Sequence, residues 1–185
     1  MDTGVLEKRF EEIYGTTVEH LYFAPGRVNL IGEHIDYNGG RVFPCALSFG
    51  TYLAVARRDD RKIAFASMNQ TFRLECDPTI FEHKPAEWVK YPLGVVKEFA
   101  DRGFNPWGFD ILYFGDIPNG AGLSSSASIE VVTAFMLNDL LHAGLDVVEL
   151  VKMSQRAENL FVGMNCGIMD QFAVGMGKKE HAIAL

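Results

Sequence analysis

Apolar residues recur along this chain at two spacings, every three to four positions in some stretches and every second position in others. The helical spacing predicts a helix over 4–14 that ends at Gly15. It predicts another over 87–101, with Trp88, Tyr91, Val95 and Phe99 on one side and a stop at Gly103. A third runs over 126–142, with Ile129, Val132, Phe135, Met136 and Leu140 on one face. A fourth runs over 147–162, with Leu150, Val151, Ser154, Ala157 and Phe161. Alternating or β-branched stretches predict strands over 42–47, 51–57, 63–68, 71–75 and 109–114. Tyr22–Phe23 and Val28–Ile31 read as extended pieces flanking a sharp Pro25-Gly26 turn, and Asn38-Gly39-Gly40 is a second turn signal. Residues 182–185 read as the start of a further strand. Strands followed by packed helices predict a mixed α/β or α+β layered fold.

Composition narrows the function classes. The chain has 185 residues, 48% of them hydrophobic and 14 of them Phe, enough for a substantial core. Its formal net charge of −7 disfavours a nucleic-acid or anionic-membrane partner, although a local anion site stays open. No apolar run approaches membrane-spanning length, and the first fifteen residues, MDTGVLEKRFEEIYG, lack a signal-peptide core. Cys45, Cys76 and Cys166 are widely spaced with no CxxC. The expectation is reduced thiols in a cytoplasmic protein, with neither zinc site nor disulfide scaffold. The chain stops without a polar tail, so a truncated protein is expected.

The stretch PNGAGLSSSASIEVV at 118–132 places a glycine turn between a strand and a helix. A helix start presents unpaired N–H groups and partial positive charge. Gly120 and Gly122 allow a phosphate to approach the main chain, and Ser124, Ser125 and Ser126 add hydroxyls that can cap the helix, donate to phosphate or bind a metal. By itself the pattern is equally an ordinary capped turn. The Walker pattern is absent, and the dinucleotide pattern fails because Ser125 stands at its last glycine. Backbone dipoles and a bound cation would have to do what a Walker lysine does.

A second charged segment, APGRVNLIGEHIDYNGG at 24–40, puts Arg27, Glu33, His34 and Asp36 among glycines, close to Arg41. Such groups suit a polyhydroxy ligand, though a solvated loop of paired charges fits as well. Asp170 lies in an apolar stretch, so it is either at a turn or buried with a partner. Trp88 and Tyr91 sit one turn apart and can stack on a base, and Ser67 and Asn69 can bond its edge; core packing and a plain turn are the alternatives.

Together, the segment at 117–128, the segment at 24–40 and GIMDQF at 167–172 resemble the GHMP kinases, and among them the galactokinases. The resemblance implies an α+β fold similar to ribosomal protein S5 domain 2, with mixed β-sheet layers packed with helices. It implies that 1–185 is the N-terminal domain of a chain roughly twice as long, whose C-terminal half completes the site. It further implies phosphorylation of galactose at C1 from ATP and Mg²⁺. Kinases of N-acetylgalactosamine or arabinose, and a galactose- and ATP-binding regulatory sensor, are the alternatives. Asp170 becomes the catalytic carboxylate, as general base or as an orienting group, with Arg27 beside it. Glu33, His34, Asp36 and Gly167 become sugar contacts, Ile35 (Thr would be expected there) turns away from the sugar, and Ser126 with Glu158 becomes the Mg²⁺ pair. Glu130, one turn from the phosphate loop, ranks second as a metal ligand.

Overall fold

The computed structural model describes residues 2–33, 35–77, 80–81, 87–118 and 122–185. Among them, the strands β1 (His20–Asn29), β2 (Pro44–Arg57), β3 (Ile63–Ser67), β4 (Leu74–Cys76) and β5 (Phe109–Gly115) form one sheet in the order β1-β2-β5-β3-β4. β1 pairs antiparallel with β2, β2 with β5, and β3 with β4, whereas β3 and β5 run parallel. The sheet is therefore mixed, as expected.

Period-two alternation sorts the strands between two faces. Leu53 and Val55 of β2, Ile63 and Phe65 of β3, and Phe109, Ile111 and Tyr113 of β5 join the larger core. Four helices supply the other side of that core: α2 (Lys90–Asp101), α3 (Ser125–Leu140), α4 (Val147–Arg156) and α5 (Met169–Met176). The intervening positions Ala54, Ala56, Ala66 and Leu112 face α1 (Thr3–Tyr14), which buries Leu6 and Phe10 against them. Small residues on that face let a single helix lie close. Each of the two anchors contributes roughly 1.5–3 kcal/mol by leaving water. Asp2 caps the start of α1 and Gly15, in the left-handed region, ends it.

Several elements differ from the sequence expectation. Pro25-Gly26 is not a turn: β1 runs through it with a register shift between Pro25 and Arg27, where Gly26 alone stands opposite Leu47–Phe49 of β2. The two strands expected over 42–57 are one, because Gly50 lies so near the Ala24 carbonyl that any side chain would collide with β1. α3 is buried almost all round rather than on one face, since it lies between the sheet and the other helices. The helix expected over 147–162 is α up to Arg156 and continues as a π-helical segment, Ala157–Val162. Ala157 and Phe161 of that segment pack on Gly94 of α2, where the missing side chain permits the approach. Residues 183–185 pair through backbone hydrogen bonds with Val42 and Pro44.

Candidate active site

The site is built on the start of α3. Gly122 and Ser124 both have left-handed backbone, with φ of 67° and 60°. A left-handed serine costs roughly 1–2 kcal/mol, so something must hold it. Ser124 occupies the N-cap position but makes no capping bond. Its hydroxyl instead donates to Asp170 Oδ2 at 2.5 Å. The Ser124 side chain thus caps no N–H of the first helical turn, whose first groups have no intrahelical acceptor. One buried anchor fixes this helix end. Ser128 Oγ donates to the Ala24 carbonyl at 2.9 Å and contacts Thr51 Oγ1 at 2.8 Å. Gly50 N donates to Asp116 Oδ1 at 2.6 Å where the chain leaves β5. Gly120 lies outside the described residues, with Asn119 and Ala121.

β1, just past its irregular pairing with β2, brings Arg27 to the same place. Arg27 N donates to the Leu123 carbonyl, and Gly26 lies against that carbonyl with no room for a larger side chain. The Arg27 guanidinium reaches Asp170 Oδ1 with Nε at 2.7 Å and Nη2 at 2.6 Å, and Nη1 donates to the Gly122 carbonyl at 2.7 Å. Both Asp170 oxygens are therefore held, one by Arg27 and one by Ser124. The Arg27 side chain is 12% exposed and that of Asp170 is 29% exposed, so the pair borders on solvent. Asp170 stands in the first turn of α5, where a carboxylate is favoured by the helix dipole.

Two concavities meet at this helix end. One, of about 200 Å³, is lined by Ser67, Asn69, Trp88, Tyr91, Ser125 and Ser126 among others. The second, of about 350 Å³, is lined by Arg27, Asp170, Gly122 and Ser124. Ile117, Ser125 and Ser126 line both. The Asn69 side chain is spent differently from the sequence expectation: its amide exchanges two hydrogen bonds with the Gly115 backbone, at 2.9 and 2.8 Å. It builds the wall of the first concavity. Trp88 likewise spends its indole N–H on the Phe72 carbonyl.

Behind the serines lies an acidic cluster. Glu158, on the π-helical segment, accepts a hydrogen bond from Gln171 Nε2 at 2.5 Å, and the nearby Ser126 hydroxyl favours its charged form. Gln171 Nε2 also lies 3.2 Å from Glu130 Oε2. Burial pushes the Glu130 carboxyl well above the usual range, and the neighbouring Glu158 adds to the rise. Burial also raises Glu158, against the opposing hydrogen bonds of Cys166 and Ser126. Glu130 Oε1 and Gln171 Oε1 are buried without a partner. Among the described residues, no three His, Cys, Asp or Glu converge as a metal cage. A Mg²⁺ ion that keeps its waters and takes one or two protein oxygens needs none. Ser126 and Glu158, side by side at a cluster short of positive charge, fit that donor set.

Asp36 sits in a 3₁₀ turn, Asp36–Asn38, closed by left-handed Gly39. Its Oδ2 accepts Met169 N at 3.3 Å, and its carboxylate lies so close to Gly167 that a Cβ there would overlap it. Residues 36 and 167–170 are thereby neighbours. Glu33 is exposed and His34 lies outside the described residues. Ile35 packs beside the backbone of Gly32 and Gly40. Sequence reasoning missed α5 as a helix and missed Gln171 and Thr51 altogether. The adjacency of Gln171 to Asp170 was the one available signal.

The galactokinase galactose-binding signature matches residues 8–57 and the GHMP kinase N-terminal domain matches residues 90–178. A galactokinase of Bacillus subtilis is 58% identical over 98% of this chain and 47% of its own length. One of Clostridium tetani is 55% identical over 100% of this chain and 48% of its own. The crystal structure of Lactococcus lactis galactokinase complexed with galactose superposes with a TM-score of 0.94 at 39% identity, covering 100% of this chain and 49% of that one. Methanococcus jannaschii mevalonate kinase, at 22% identity, shares the fold with a TM-score of 0.77, over 89% of this chain and 52% of its own. The chain spans about half the length of the curated relatives it matches.

Proposed function

The chain belongs to the GHMP kinase family, and we propose that it forms the N-terminal half of a galactokinase, which phosphorylates D-galactose at the C1 hydroxyl from ATP. The observation that carries this reading is the pair of concavities sharing Ser125 and Ser126, with Arg27 and Asp170 in one and Trp88 and Tyr91 in the other. Adenine stacks against Trp88 and Tyr91 with Ser67 and Asn69 at its edge. The triphosphate lies along Gly120, Gly122 and the serines at 124–126, on backbone N–H groups that substitute for a lysine. Glu33, His34, Asp36 and Gly167 grip the sugar. Ser126 and Glu158 would hold Mg²⁺, whose chemistry here is to neutralise phosphate charge.

Asp170 orients the C1 hydroxyl and takes its proton as the oxygen bonds to the γ-phosphorus and ADP departs. Arg27 faces the equatorial oxygens of the transferring group. Phosphoryl transfer has a loose transition state, so positioning and charge stabilisation carry most of the rate. The reading places the protein in the cytoplasm, where ATP is abundant, with the C-terminal half of the relatives' length closing the nucleotide cleft.

The test is a sugar panel with coupled ADP detection on the full-length protein, run beside the 185-residue chain alone. Galactose-dependent ADP from the former and almost none from the latter is expected. Turnover only with N-acetylgalactosamine or arabinose would reassign the substrate. Tight galactose binding without any turnover would replace the enzyme by a sensor.

A further inference from the structure

Gln171 follows Asp170 on α5, and successive helical residues project about 100° apart. Asp170 accordingly faces Arg27 and Ser124, while Gln171 faces the acidic cluster and has no solvent exposure. Its Nε2 reaches Glu158 Oε2 at 2.5 Å and Glu130 Oε2 at 3.2 Å. The orientation of the amide is dictated by charge, because the reverse would set a carbonyl oxygen against two carboxyl oxygens. A glutamine is suited to this place for a definite reason. Its NH₂ offers two donors and no charge, so it can hold two acidic side chains without cancelling either. A lysine or arginine there would bring a permanent cation that competes with a metal. An apolar residue of the same size would leave buried carboxyl oxygens unpaired, at a cost of roughly 1–3 kcal/mol or more.

We infer that Gln171 is a positioning residue that aims the Glu158 carboxylate toward Ser126 and couples it to the helix carrying Asp170. The cation site and the acceptor site then share one rigid element, with residue 170 serving one and residue 171 the other. This inference rests on the reading of Glu158 as a cation ligand. Partners of metal-ligating carboxylates typically matter by 10–100-fold in metal affinity.

The experiment is Mn²⁺ binding to the ATP complex of the full-length protein, followed by electron paramagnetic resonance. Gln171→Met keeps the volume and removes the donors. It is expected to weaken Mn²⁺ by about 10–100-fold, leaving calorimetric galactose affinity in the absence of metal unchanged. Gln171→Asn, which withdraws the amide by one methylene, should lose less, and it decides by the same criteria if the Met variant does not fold. In a Glu158→Gln background, Gln171→Met should add less than about 3-fold, because the two act through one contact. Unchanged Mn²⁺ affinity in Gln171→Met, or a full additional loss in the Glu158→Gln background, overturns the inference while leaving Glu158 as ligand. Unchanged Mn²⁺ affinity in Glu158→Gln alone removes the premise, and this inference with it.

Discussion

Two arginine–aspartate pairs in this molecule have nearly the same geometry and different surroundings. Just past the end of β2, Arg58 Nη1 meets Asp110 Oδ1 of β5 at 2.6 Å, as close as Arg27 Nη2 comes to Asp170 Oδ1. Arg58 also binds Asp60 through Nε and Nη2, each at 2.9 Å, and Glu75 at 3.1 Å, and Glu75 in turn holds Lys62. That network closes on itself, tying the loop after β2 to β4 and β5. Among the described residues, Arg27 has a single carboxylate and one loop carbonyl, and it lines a concavity beside the start of α3, which Ser124 does not cap. The contact distance does not separate a structural ion pair from a chemical one. What separates them is whether the chain itself exhausts the donors and acceptors around the pair.

Removing each carboxylate sharpens this contrast most. Asp170→Ala in the full-length protein should lower kcat by about 10³-fold or more while ATP binding by calorimetry persists. Asp110→Ala should leave kcat within about 3-fold and lower stability in urea unfolding by only about 1 kcal/mol, since Arg58 keeps Asp60 and Glu75 as partners. Near-normal turnover of Asp170→Ala, or a large kcat loss in Asp110→Ala, breaks the comparison. A smaller effect is expected at Gly167→Ala. The added methyl displaces the Asp36 carboxylate, so the KM for galactose should rise about 10-fold or more, with the melting temperature little changed. An unchanged KM would detach Asp36 from the sugar.

The smallest effect concerns acid. Hydrogen bonding to Arg58 holds Asp60 down at about 2, below its usual 3.8. A depressed carboxylate contributes stability above its unfolded pKa and loses it as pH falls through the folded one. The melting temperature should therefore drop between pH 4 and pH 2, less steeply in Asp60→Asn. Asp60 is fully exposed, so the difference will be small; identical slopes would show that the network is already screened.

The legibility of the sequence varied by element for physical reasons. α1, α2 and β5 were readable within a few residues, α1 because it buries one periodic face and β5 because it is a short run buried on both faces. α5 was not, since MDQFAVGM is short and largely apolar with an internal glycine, and its helical form depends on docking against α3 and α4. Pro25-Gly26 was read as a turn, and the strands at 42–47 and 51–57 were read as separate on either side of Gly50. These glycines permit close approach, of β1 to the Leu123 carbonyl and of β2 to Ala24, which is a property of two segments at once. Ser124 was readable as part of a phosphate loop, whereas its hydroxyl bond to Asp170 was not.

From the sequence alone came the glycine–serine helix start, the charged loop at 24–40, the apolar setting of Asp170 and the family these motifs resemble. All are patterns of neighbouring residues, and local backbone preference extends only over a few positions. The tertiary structure decided what no local pattern can carry. It set Arg27 against Asp170 across 143 residues of chain, emptied Glu130 and Gln171 of solvent, and gave one amide two carboxyl groups to hold. Burial and directional hydrogen bonds need atoms from distant segments, and they exist only once those segments have packed.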